Sequence, residues 1–164
     1  TNRVIEVAAI RFSNGKITKT FSSLVNPEVS IPSFITSITG LTDRHVSKAP
    51  VFKKILPDLE NVFKGSIFVA HNVNFDYQFL RGEYLRFGKD LELPKMCTVR
   101  LSRLLYPEHK RHGLSSIIER FGFECEARHR ALGDAQVLWD FLQKIRQDFE
   151  PKVVSKALNS IGDW

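Results

Sequence analysis

His129 and Asp134 constrain this chain more than any other pair of residues. They stand five residues apart in Arg128-His129-Arg130-Ala131-Leu132-Gly133-Asp134-Ala135. Val137, Leu138, Phe141, Leu142 and Ile145 follow at helical spacing, so Asp134 opens an amphipathic helix. Five residues turn a helix through about 500°, and two helical side chains at that spacing do not share a face. They converge only if His129 lies on the loop before the helix and Asp134 in its first turn. A mobile base beside a fixed metal ligand is the arrangement that metal-assisted hydrolysis needs.

A second carboxylate lies upstream. Ser66-Ile67-Phe68-Val69-Ala70 reads as a short buried strand, and His71-Asn72-Val73-Asn74-Phe75-Asp76 leads from it into Tyr77-Gln78-Phe79-Leu80. A carboxylate just past a strand, at a helix start, is well placed for a ligand site. Asp76 and Asp134 can then meet at one divalent cation. Hard carboxylate oxygens suit Mg²⁺ or Mn²⁺, whereas zinc prefers histidine and cysteine. Taken singly, each residue has a plainer role: an aspartate at a helix start caps it or complements its dipole, and a loop histidine is solvated. His71 directly follows an apolar strand and reads equally as a buried, hydrogen-bonded histidine. Phe75, Phe79, Leu80 and Leu85 read as core residues.

The remaining pattern is α/β, in one domain over residues 1–149 with a tail or linker over 150–164 that could lead to a further domain. Residues 3–12 and 16–25 read as strands joined by the hairpin signal Ser13-Asn14-Gly15. Phe52 to Phe63 is a helix that Pro57 should disturb. Strand 66–70 and helix 75–87 follow, the helix ending near Gly88. Next come an extended piece at Met96-Cys97-Thr98, a helix through Leu104-Leu105, and a polar basic loop from Pro107 to His112. Leu114 to Phe121 is a short helix stopped by Gly122, and the last helix spans 131–148, with Pro151 just past it.

The two motifs together, H-N-x-x-F-D at 71–76 and H-x-A-x-x-D-A at 129–135, closely resemble those of the DnaQ-like 3′–5′ exonucleases of the DEDDh branch. The resemblance runs from about residue 3 to 147. Arg3 to Ile10 looks like that family's second strand, and Ile31-Pro32 with Ile38-Thr39-Gly40-Leu41-Thr42 looks like its nucleotide-contacting loop. It implies a ribonuclease H-like fold, a mixed five-stranded sheet flanked by helices. It implies Asp76 and Asp134 as metal ligands, His129 as general base, and Thr39, Gly40 and Asn72 as substrate contacts. The implied activity is a hydrolase that releases nucleoside 5′-monophosphates from 3′ ends of DNA or RNA with two divalent cations, Mg²⁺ or Mn²⁺.

The family's first motif, D-x-E on the central first strand, has no counterpart here. Glu124-Cys125-Glu126 has the wrong first residue. The motif is expected upstream of Thr1, so the fold is expected without its first, central strand. Thr1–Trp164 alone should then be inactive and poorly folded, because two strands would expose unpaired backbone. The alternative is a non-catalytic module that holds a 3′ end or docks on a DNA polymerase.

Composition agrees with a polyanionic partner. Lys and Arg number 24 against 18 acids, for a net charge of +6 and a pI near 9.5. Lys95, Arg100, Arg103, Lys110, Arg111, His112, Arg120, Arg128 and Arg130 gather between and around the two motifs, where they suggest a rim that tracks phosphates. Cys97 and Cys125 form neither a C-x-x-C pair nor a zinc spacing, as expected in a reducing cytoplasm. No apolar run is long enough to span a membrane.

Overall fold

A computed structural model describes residues 3–125 and 128–162. Glu126 of the rejected acidic triplet and the last two residues of the tail lie outside the described residues.

The chain opens with an antiparallel hairpin, β1 (Glu6–Ser13) and β2 (Lys16–Leu24). Asn14 and Gly15 both take positive φ, 51° and 74°, which a two-residue turn matched to strand twist requires. Short helices α1 (Ser33–Thr39) and α2 (Asp43–Val46) lead to α3 (Phe52–Phe63). The buried residues of α3 are Phe52, Ile55, Leu56, Leu59, Val62 and Phe63, one continuous stripe at helical spacing. Pro57 does not break this helix. It sits on the exposed face, where water can take the carbonyl of Lys53 that loses its hydrogen bond.

β3 (Phe68–Ala70), α4 (Val73–Leu85) and β4 (Lys95–Cys97) form a parallel crossover, with Val69 opposite Met96. Then come α5 (Thr98–Leu105), α6 (Leu114–Phe121), α7 (Ala131–Asp148) and α8 (Pro151–Ile161). Gly122 ends α6 in the left-handed region at φ 64°. The segment read as tail or linker therefore contains a helix. Its Ala157 and Ile161 are buried, and Arg100 Nη1 donates to the Ile161 carbonyl at 3.2 Å.

The four strands form two separate two-stranded sheets, β1–β2 antiparallel and β3–β4 parallel. The arrangement is the expected mixed α/β one, helices with short sheets. Two cores accompany them. One joins Val4, Val7 and Val25 to the buried face of α3, with Leu80, Tyr84 and Leu91. The other joins Met96, Leu101, Leu105, Tyr106, Ile117, Phe141, Ile145, Ala157 and Ile161. Burying this much apolar surface at about 25 cal/mol per Å² is the main stabilising contribution to each. Glu83 is buried on α4, where Arg3 Nε at 2.9 Å and the Val4 backbone N–H at 3.0 Å donate to its Oε1.

Helix α7 lies along β1 in the same direction. Glu6 meets its first turn, Phe12 packs on Trp139 with ring centroids 4.9 Å apart, and Arg146 covers Gly15. No helix among the described residues is long and apolar enough to cross a membrane.

Candidate active site

Asp134 is positioned by the N-terminus of α7, and a strand far away in sequence anchors that terminus. Glu6 Oε2 accepts from the Ala131 backbone N–H at 3.0 Å, and Arg130 Nη2 donates to Glu6 Oε1 at 2.8 Å. The Glu6 side chain is 11% exposed. A carboxylate on free N–H groups at a helix start gains from both the hydrogen bond and the dipole. With its start held this way, α7 carries Asp134 in its first turn.

Asp76 occupies the first turn of α4. The preceding Asn72 is the N-cap, at φ 68° in the left-handed region, which asparagine tolerates better than most residues. Surrounding protein pushes the Asp76 carboxyl up to about 6, its own backbone N–H opposes the rise, and the charge of Asp134 adds to it. The residue as a whole is exposed, so water screens part of this effect.

Three further groups gather here. Arg128 donates through Nη1 to Asp134 Oδ1 and through Nη2 to Ser115 Oγ at 3.2 Å. His71 Nδ1 lies 2.9 Å from Thr98 Oγ1, and that hydroxyl donates to the Ala70 carbonyl. Nδ1 and the Thr98 hydroxyl share one hydrogen bond whose direction follows the ring tautomer. Nε2 is buried and has no partner among the described residues. Burial holds the His71 pKa below its ordinary value, and Arg128 lowers it further, while the nearby His112 carbonyl and Asp134 oppose the drop.

His129 is exposed on the turn before α7, at φ 62°. The structure thus puts it on a loop and Asp134 on the helix, as the spacing requires. Thr39 and Gly40 end α1, with Gly40 at φ 72°. The Thr39 hydroxyl donates to the Ile35 carbonyl at 2.9 Å and accepts from the Leu41 N–H at 3.2 Å. No hydrogen bond among the described residues links Thr39, Gly40 or Asn72 to the aspartate pair.

Asp76 and Asp134 have the right donor chemistry for a hard divalent cation. Their number falls short, because no group of three histidine, cysteine, aspartate or glutamate side chains among the described residues could hold a metal ion. The Arg128 guanidinium supplies the positive charge beside Asp134. Sequence reasoning missed Glu6 as the anchor of α7 and Arg128 as the partner of Asp134.

A family model described as an exonuclease, RNase_T, matches residues 1–142. The chain is 35% identical over 161 residues to a DNA polymerase III PolC-type of Caldanaerobacter subterraneus subsp. tengcongensis, covering 98% of this chain and 11% of that protein. A second PolC-type polymerase, from Clostridium perfringens, is 35% identical over 142 residues, 87% of this chain and 10% of its own length. The chain thus spans about a tenth of the length of these relatives. Among solved structures, the nuclease domain of 3′hExo, a DEDDh family member bound to rAMP, superposes with a TM-score of 0.77 at 19% identity, covering 89% of this chain and 82% of that one.

Proposed function

The chain belongs to the RNase_T exonuclease family, and from that premise we propose that it removes nucleotides from 3′ ends by hydrolysing the terminal phosphodiester. The observation that supports this best is the placement of Asp76 in the first turn of α4 and Asp134 in the first turn of α7, with His129 on the turn before α7. His129 takes the proton of the attacking water, a role that exposure and a loop position suit. Asp76 and Asp134 would hold divalent cations, Mg²⁺ or Mn²⁺, two in number, with oxygens from beyond this pair. Metal bound there would lower the pKa of a coordinated water and offset charge on the leaving oxygen. Thr39, Gly40 and Asn72 contact the terminal nucleotide, and a nucleoside 5′-monophosphate leaves. The PolC-type relatives favour DNA as substrate and a DNA polymerase as partner, in the cytoplasm; 3′ ends of RNA are the alternative substrate. Residues 1–149 act as the exonuclease domain.

A second reading, in which the chain binds 3′ ends or docks on a polymerase without cutting, makes the opposite prediction. One experiment separates the two. The protein is incubated with 3′- and 5′-labelled strands in Mg²⁺ or Mn²⁺, with and without EDTA. Mononucleotide release from the 3′ end, abolished by EDTA, is expected. Asp76→Ala and Asp134→Ala should nearly abolish it, and His129→Ala should lower it roughly 10²–10⁴-fold with metal affinity kept. Release from 5′ ends, or full rates in His129→Ala, would overturn the assignment.

A further inference from the structure

The fold disperses several of the basic residues that cluster in the sequence. Arg130 is held by Glu6, Arg128 by Asp134, and Arg100 by the Ile161 carbonyl, while Lys95 lies over the Tyr77 ring at 4.8 Å. Lys110, Arg111 and Arg120 instead converge. Together with His109, Ser116 and Glu119 they line an open pocket of about 410 Å³ between the loop after α5 and the helix α6. Glu119 is the one acid in this lining.

The pocket is built around Arg120. Its guanidinium donates through Nη2 to the Arg111 carbonyl and lies 5.6 Å from the Phe121 ring centroid, two contacts that fix its plane. The remaining terminal nitrogen, Nη1, is buried and has no hydrogen-bond partner among the described residues. A fixed guanidinium beside flexible Lys110 and Arg111 side chains is the donor set that recognises a phosphate.

Helix α6 connects the pocket to the candidate active site. Ser115, which accepts from Arg128 beside Asp134, precedes Ser116 of the pocket lining on α6. His112, on the same loop as Lys110 and Arg111, donates or accepts at Ser102 Oγ and lies near His71. We infer that this pocket binds a backbone phosphate of the nucleic-acid strand some nucleotides away from the bond being cut. The inference rests on the exonuclease reading for the identity of the strand, and the phosphate chemistry stands on the pocket itself.

The test keeps the two apart. Binding of a labelled single-stranded 12-mer and of a dinucleotide is measured by anisotropy in EDTA, across a range of salt, for wild type and Lys110→Glu/Arg111→Glu. These side chains have no structural partner among the described residues, and a melting curve checks that the variant folds. The 12-mer should lose tenfold or more in affinity. Its salt slope should fall by about 0.7, the contribution of one lost phosphate contact on a single strand. Dinucleotide affinity, and dinucleotide hydrolysis in Mg²⁺, should not change. Equal losses on both lengths, or an unchanged 12-mer slope, would overturn the proposal. If no cleavage is seen in wild type, only the exonuclease reading fails, because anisotropy in EDTA still reads the pocket. As a second variant, Arg120→Lys keeps the charge but loses the fixed plane, and should weaken the 12-mer alone.

Discussion

The core behind β1–β2 and the core around α5–α8 are built alike, yet the boundary between them is not. Each core is a contiguous apolar cluster with a fully buried phenylalanine at its centre, Phe52 in one and Phe141 in the other. The boundary, where α7 lies along β1, relies on Glu6 with Arg130 and Ala131, on the Phe12–Trp139 pair, and on Arg146 over Gly15. Asp76 belongs to the helix that packs on the first core, and Asp134 to one that packs on the second. The difference teaches that apolar burial makes each half, while a few specific contacts, polar and aromatic, fix how α7 lies on β1. The candidate catalytic groups sit where that relation matters.

Cutting into the two cores should have the largest effect. Phe52→Ala and Phe141→Ala should each cost about 3–5 kcal/mol, the usual range for emptying a buried aromatic site. If the boundary couples the halves, both variants shift one cooperative melting transition, as seen by calorimetry and far-UV circular dichroism together. Two transitions, each moved by only one of the substitutions, would break the picture of coupled halves.

A smaller change sharpens the boundary itself. Glu6→Ala strips the Ala131 N–H and Arg130 of a shared charged acceptor and should cost about 2 kcal/mol. Glu6→Gln keeps an acceptor for the N–H and should cost less. The readout is the urea midpoint of each variant. A Glu6→Ala protein that unfolds at the wild-type midpoint would show that other contacts set the place of α7.

The smallest effect is a pH dependence. The folded pKa of Asp76, about 6, stands above its ordinary 3.8. The folded state therefore binds more protons than the unfolded one between those values, and wild-type stability falls as pH rises through that window. Asp76→Asn removes the effect. In EDTA its stability relative to wild type should grow from pH 4 to about 6 and level off above. Urea midpoints at four pH values test this, and a gain that shrinks as pH rises would contradict the raised pKa. The same shift means that metal binding, which needs the ionised carboxylate, should strengthen as pH rises through about 6.

Helices α3, α6 and α7 were legible because their signals are local: the buried positions of α3, the run from Val137 to Ile145, and the glycine stop after α6 all act within a few residues, whereas α1, with no buried residue, read as a loop. His129 and Asp134 were legible for the same reason, since the loop–helix geometry follows from their spacing. Glu6 was not, because its partners lie 124 and 125 residues away and neither end carries a local mark. Helix α8 lies between these cases. Val154, Ala157, Leu158 and Ile161 recur at helical spacing behind Pro151 at the first helical positions. The small Ala157 and the intervening Ser155, Lys156, Asn159 and Ser160 dilute that stripe, so it reads as a tail until its packing is seen.

One backbone angle reaches beyond mechanism into protein engineering. His129 holds φ 62°, a region where residues with a Cβ are disfavoured and glycine is at ease. A redesign scored only on thermal tolerance would write glycine at this position and count the change as an improvement. It would remove the one side chain assigned to accept the proton. Stability screens of this chain therefore need an activity readout at position 129, or they will select against its chemistry.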